Sequence, residues 1–301
     1  VKRHASLLLL LAVLPAAASA HGGAHLPSPA APGWTLDPGV VAPLLLCACL
    51  YAVGFVRLWS RSEGGRVVHR RKAWLFVAGW LTLAAAIISP LHEAGERSFT
   101  LHMIEHELIM GVAALLLAVS RPLAMMLWGL PAKIRQALAG LGRKESVAAA
   151  SSFVSHPVPA TLVQALVLIL WHAPPLFNRA LGHAGWHVAQ HLCFLVSALI
   201  FWWSMARRQG ARGYALASLC LFATSLIGGG LGALMAFASS PWYAGYAALG
   251  MMPFGLTPVE DQQLAGLVMW IPGGMIHAVA ALVLLARALR RKEAPCVPAI
   301  D

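Results

Sequence analysis

Residues 214–238 read YALASLCLFATSLIGGGLGALMAFA, without one charged side chain. A helix of that length rises about 37 Å, more than the roughly 30 Å of hydrocarbon in a bilayer. Being apolar all round, it reads as a transmembrane span. The whole chain agrees: of its 301 residues, 59% are hydrophobic and only 11% are charged, against a norm of about 25% charged in soluble domains. A water-soluble globule is excluded.

Outward from this stretch, uncharged apolar segments recur near 38–57, 73–90, 101–120, 157–173, 186–206 and 259–286, making seven spans in all. The expected fold is all-α, a polytopic transmembrane helix bundle. The 22 Lys and Arg against 11 Asp and Glu give a net charge of +11, which by itself would suit a nucleic acid or an anionic membrane. Placement decides between them. Arg57, Arg61, Arg66, Arg70, Arg71 and Lys72 follow span 1, and Arg121, Lys133, Arg135, Arg143 and Lys144 follow span 3. Arg207, Arg208 and Arg212 follow span 5, and Arg287, Arg290, Arg291 and Lys292 follow span 7, whereas the opposite loops hold only Arg97 and Arg179. By the positive-inside rule the amino terminus lies outside and the carboxyl terminus in the cytoplasm. Basicity encodes topology here, so membrane lipid is the expected partner and nucleic acid is not.

Lys2 and Arg3, the apolar run Leu7–Leu14 and the triplet Ala18-Ser19-Ala20 form the three regions of a secretory signal peptide, with cleavage expected after Ala20. An alternative bacterial start codon would account for Val1, and the expected location is then a bacterial plasma membrane. The expected organisation is a signal peptide (1–20), a periplasmic segment (21–37), the seven-helix domain (38–290) and a cytoplasmic tail (291–301), with 121–156 lying along the interface. A mature chain beginning His21-Gly22-Gly23-Ala24-His25 offers an amino group and an imidazole on one residue. The five cysteines, Cys47, Cys49, Cys193, Cys220 and Cys296, include no CxxC spacing, so neither a disulfide framework nor a zinc ribbon is encoded. Thr257, Pro258 and Glu260 predict a capping box at the start of span 7. Pro272-Gly273-Gly274 predicts a kink further along, and Gly228-Gly229-Gly230 with Gly232 predict close helix approach in span 6. Trp59, Trp128, Trp202, Trp203 and Trp242 read as interface anchors.

Thirteen histidines are the anomaly, because ionisable groups are costly in a membrane and usually face a cavity or a ligand. His92, His102, His106, His172, His183, His187 and His191 all map to the outer loops or outer span ends. His102 and His106 are four apart and share one helix face, with Met110 a turn deeper and Met103 adjacent; His183, His187 and His191 repeat the spacing. Asp261 could supply a carboxylate or orient an imidazole, with Met269 two turns below and Met251 and Met252 in the preceding loop. Imidazole with thioether suits copper, especially Cu(I). The zinc-protease motif fails, since Met103 holds the place of its glutamate in His102-Met103-Ile104-Glu105-His106. His277 is isolated in span 7 and reads as structural.

Those residues carry a resemblance. His102-Met103-Ile104-Glu105-His106, Trp171-His172-Ala173-Pro174, the series His183, His187, His191, and the block Asp261-Gln262-Gln263-Leu264-Ala265-Gly266-Leu267-Val268-Met269-Trp270-Ile271-Pro272-Gly273-Gly274 resemble the caa3-type cytochrome c oxidase assembly factor family, CtaG, in matching order across spans 1 to 7. The resemblance implies a multi-pass plasma-membrane protein that matures a haem-copper oxidase by handling copper. It carries over His102, His106, His172, His187, His191, Asp261 and Met269 as metal-site residues, with His183 the weaker match. Glu107 stands where the family often has methionine. The expected action is copper delivery to oxidase subunit I, with His102, His106, His187 and His191 binding Cu(I) and His172 and Asp261 completing the shell; periplasmic copper carriers would supply it. A haem-binding cytochrome, with paired histidines as axial ligands, is the main rival, and a metal-ion or proton transporter is another. No nucleophile with a positioned base is visible, so catalysis is not expected.

Overall fold

The computed structural model describes residues 31–61, 66–207, 210–251 and 253–292, and every regular element among them is helical. The expected signal peptide, His21 and His25, Arg208, Met252 and the tail beyond residue 292 lie outside the described residues.

In chain order the helices are α1 (Pro38–Trp59), α2 (Arg66–Ile88), the short α3 (Pro90–Gly95) and α4 (Phe99–Ser120). Then come α5 (Pro122–Gly129), α6 (Ala132–Leu141), α7 (Glu145–Val154), α8 (Pro157–His172) and α9 (Pro174–Gly182). α10 (Ala184–Ala206), α11 (Gly210–Ala236), α12 (Ala244–Ala247) and α13 (Pro258–Arg290) complete the bundle. Six of these, α1, α2, α4, α10, α11 and α13, are each long and apolar enough to cross a membrane. The segment expected as span 4 differs. α8 has only 16 residues, and it reaches spanning length together with α7, from which it is bent by 71°. Pro157 and Pro159 explain the break, since a proline at the start of a helix cannot continue the hydrogen bonds of the preceding one.

Sequence punctuation sets the helix starts. Asp37 caps α1 through Gly39 N at 2.7 Å, with Pro38 in the first turn. At α13 the capping box forms as expected: Glu260 N donates to Thr257 Oγ1 (3.3 Å) and Thr257 N donates to Glu260 Oε2 (2.8 Å). Two spans change winding midway. α4 is π-helical over Leu108–Ala113, a stretch without a proline, and α13 is π-helical over Met269–Gly273, where a proline kink was expected. A π turn absorbs the donor missing at Pro272 by shifting the hydrogen-bond register.

Among the glycines of α11, Gly232 makes the close approach. A Cβ there would stand 2.7 Å from Gly266 O and 2.9 Å from Trp270 N, whereas one at Gly230 would meet nothing within 4 Å. Small residues thus bring α11 and α13 nearly backbone to backbone. Beyond α4, α5 packs on α1, and Arg57 Nη1 donates to the carbonyls of Trp128, Gly129 and Leu130 at 2.9, 3.2 and 3.2 Å. These would otherwise be the open carbonyls at the end of α5. One expected anchor is a core residue instead. Trp202 is buried and donates Nε1 to Met110 O, within the π turn of α4, at 2.8 Å. His277 has the structural place expected for it, donating through Nδ1 to Gly273 O (2.8 Å) and stacking on Trp202.

Candidate metal centre

Four elements bring their histidines to one end of the bundle. His102 and His106 project from the first two turns of α4, His172 ends α8, His187 and His191 descend α10, and His92 comes from the short α3. The start of α4 is tied to the start of α13. Asp261 accepts from Ser98 Oγ (2.8 Å), Phe99 N (2.6 Å) and Thr100 N (3.2 Å), while Thr100 Oγ1 donates to Asp261 O (2.9 Å). A carboxylate against open backbone donors at a helix N-terminus is favoured both as a cap and by the helix dipole. Tyr243 OH donates to His172 O at 2.9 Å and holds the end of α8 against the loop before α12.

The rings pack as one array. His102 lies 4.2 Å from His106, 5.4 Å from His187 and 5.9 Å from His191, centroid to centroid. His106 is 5.1 Å from His191 and 6.4 Å from His172. His92 joins from outside, 5.1 Å from His187 and 5.7 Å from His191. Glu105 fills the remaining corner, accepting from His92 Nδ1 at 2.7 Å with His191 Nε2 at 3.2 Å from the same oxygen. Among the described residues, the group whose ligand atoms all lie within 4.8 Å of one another is His92, Glu105 and His191.

Second partners fix which nitrogen is free. His191 donates through Nδ1 to His187 O (3.0 Å) and His172 through Nδ1 to Leu168 O (2.8 Å). This is the carbonyl support that metal-ligating imidazoles commonly have. It leaves a lone pair on each Nε2. At His191 that lone pair faces the Glu105 carboxylate, an acceptor against an acceptor, which only a proton or a cation between them can reconcile. Both ring nitrogens of His102 and His106, Nε2 of His172 and of His187, and Glu105 Oε2 are buried without a hydrogen-bond partner. Each such group left unmet costs about 1–3 kcal/mol. On α3, outside the spans, burial works against a charge on His92, but its hydrogen bond to Glu105 and the charges of Glu105, Glu96 and Glu93 outweigh it, so its pKa rises. Burial, opposed by His92, holds the Glu96 carboxyl above its ordinary value.

Of the residues singled out in the sequence, His102, His106, His172, His187 and His191 come together. Three do not join them as donors. Asp261 is occupied as the α4 cap; Met269 is buried in an apolar cluster with Phe99, Met103, Phe177 and Phe194; His183 is exposed at the N-cap of α10. In their place stand His92 and Glu105. Glu105 was visible only as part of a failed protease motif, although it is three residues from His102 and therefore on the same side of the helix. His92 had no sequence signal beyond its place in an outer loop. Glu107, where a thioether was looked for, turns toward α13, its carboxylate oxygens 2.6 and 2.7 Å from where a Cβ on Gly273 would be.

A search of curated proteins and one of solved structures returned no match. The family model described as cytochrome c oxidase caa3 assembly factor (Caa3_CtaG) matches residues 49–291, from within α1 to the end of α13, and so includes every histidine of the array. The chain therefore belongs to the cytochrome c oxidase caa3 assembly factor family.

Proposed function

We propose that this protein serves cytochrome c oxidase assembly by binding copper at the histidine array and passing it to the oxidase. The family supplies the assembly role; copper rests on the donors. The observation that carries the reading is His191 Nε2 facing the Glu105 carboxylate 3.2 Å away, with His92 on the same oxygen. Two imidazoles and a carboxylate around one point form a cation site, and imidazole ligation suits copper. His102 and His187 stand beside it as further donors. Asp261 acts one step back, holding α4 so that His102 and His106 keep their places. Copper here is cargo, so the site must also release it. His92 is suited to that, being on the short α3 with its side chain 21% exposed, whereas Glu105 is fully buried. With the amino terminus outside, this end of the bundle faces the periplasm, where copper carriers would load it and oxidase subunit I would receive it.

The ring packing favours a bare ion over haem. Phe194 lies 4.7 Å from His106 and 5.8 Å from His172, so it stands where a macrocycle between those two rings would lie. The test is the metal content and visible spectrum of the purified protein. The expected result is copper without an intense haem absorption band, lost in His92→Ala and His191→Ala. Unchanged metal in both variants, or a haem spectrum, would remove the proposal.

A further inference from the structure

At the end of the bundle opposite the histidines, α1 and α5 pack almost backbone to backbone. A Cβ on Gly54 would stand 1.7 Å from Met125 O, and one on Gly129 would stand 2.2 Å from Leu50 O. That close approach sets Arg57, in the last turn of α1, and Arg61, four residues on, beside Trp128 at the end of α5. Arg57 Nη1 donates to the carbonyls of Trp128, Gly129 and Leu130. The Arg61 guanidinium stands 5.4 Å from the centre of the Trp128 ring, and that of Arg135, from α6, stands 4.3 Å from it. Three guanidinium groups therefore gather at one tryptophan.

Among the described residues no carboxylate answers them. The ion pairs there are His92–Glu105, Arg97–Glu93 and His191–Glu105, all at the histidine end. Glu145 is the one acid between residues 121 and 156, and Glu63 lies outside the described residues. An indole face attracts a cation, but two guanidinium groups held on the same ring repel each other, and an anion shared between them would remove that repulsion. The helix that carries Arg135 is itself uncovered. α6 has no buried residue. Its Ile134, Leu138 and Leu141 recur at helical spacing as an apolar stripe, with Ile134 48% and Leu141 42% exposed, and Lys133 and Arg135 flank it. An apolar stripe edged by cations is the pattern of a helix lying in a membrane surface.

We propose that Arg61, Arg135 and Trp128, with Arg57 behind them, bind the phosphodiester group of an anionic phospholipid, while α6 lies along the same leaflet. A guanidinium fork matches phosphate oxygens in pairs, and an indole is at home at headgroup level. Val53, one turn before Arg57 and exposed, offers an acyl chain an apolar surface to follow. A phosphatidylglycerol headgroup brings one net negative charge into the cluster. A phosphatidylcholine headgroup would bring a quaternary ammonium among the arginines as well, where no carboxylate receives it. Inorganic phosphate has the same oxygens but no chain for α6 and Val53 to hold, so the lipid is the occupant that uses the whole surface. The site is independent of copper and of the histidine array.

The experiment is native mass spectrometry of the full chain in detergent, titrated with phosphatidylglycerol and with phosphatidylcholine, and then with inorganic phosphate as competitor. Wild type should bind phosphatidylglycerol at least about tenfold more tightly than phosphatidylcholine. Replacing both arginines, Arg61→Gln with Arg135→Gln, should weaken phosphatidylglycerol about thirtyfold, since each cation at a membrane surface contributes about fivefold. Arg143→Gln, an exposed cation at the same end of the bundle, should bind as wild type does. Equal affinity for the two lipids would overturn the site, and so would an equal loss in Arg143→Gln, which would reduce it to diffuse basic charge. Displacement of the lipid by excess inorganic phosphate would overturn it too, making the occupant a free anion. Neither Arg61 nor Arg135 is buried, so the double variant should fold. Should it fail to accumulate, Arg61→Gln alone decides, about fivefold weaker binding supporting the site and unchanged binding overturning it.

Discussion

At Glu105 a single oxygen atom joins two imidazoles from separate helices. Its Oε1 holds His92 at 2.7 Å and stands 3.2 Å from His191, with no exposure of the side chain. Replacing it by Gln keeps the shape and removes the charge, so copper affinity at the group of His92, Glu105 and His191 should fall at least about tenfold, as it does when a carboxylate supporting a metal site is lost. Equilibrium dialysis with a chelator measures this, and wild-type affinity in Glu105→Gln would count against the proposed copper site. Asp261 makes the opposite prediction. Asp261→Ala strips the acceptor from Ser98 Oγ, Phe99 N and Thr100 N, all buried, and should lower stability by about 1–3 kcal/mol. Thermal unfolding in detergent reads the loss, and Asp261→Asn, which retains one acceptor oxygen, should lose less. The paired spacings made His102 with His106 and His187 with His191 legible in the sequence. His92 and Glu105 were not, because a ligand contributed by another segment has no periodic relation to the rest, and an acid inside a motif gives no sign of the ring it faces.

At the scale of elements, the crossing of α11 and α13 depends on one missing side chain. Gly232→Val would force a Cβ and two methyls into the backbone of Gly266 and Trp270, and should cut the yield of folded protein, seen as loss of the monodisperse peak on gel filtration. Gly230→Ala, which meets nothing within 4 Å, is the control and should behave as wild type. The glycine run predicted close approach somewhere in this helix, but which glycine faces the partner depends on helix rotation, and that is set by the packing of α13. The same holds for the π turns. Pro272 announced a disturbance in α13 without saying of which kind, and the turn at Leu108–Ala113 has no proline to announce it.

For the whole molecule, the arginine and lysine distribution and the histidine array make one joint prediction. In a cysteine-free background, His183→Cys should react in intact cells with a membrane-impermeant maleimide, and Arg143→Cys only after the membrane is opened. Both positions are exposed, so reactivity reports sidedness. The reverse pattern would turn the array toward the cytoplasm and remove periplasmic loading from the proposed function.

The sequence alone determined the membrane bundle, the helix start at Thr257, and that the imidazoles of spans 3, 4 and 5 gather at one end. These follow from hydropathy, capping chemistry and fixed helical spacing, which are local properties of the chain. Only the tertiary structure decided that Asp261 caps a helix, that Met269 is apolar filling, that Trp202 is core, and that His92 and Glu105 meet His191. Each of those depends on which groups from distant segments compete for the same buried donor or acceptor, and that contest is settled by packing in three dimensions.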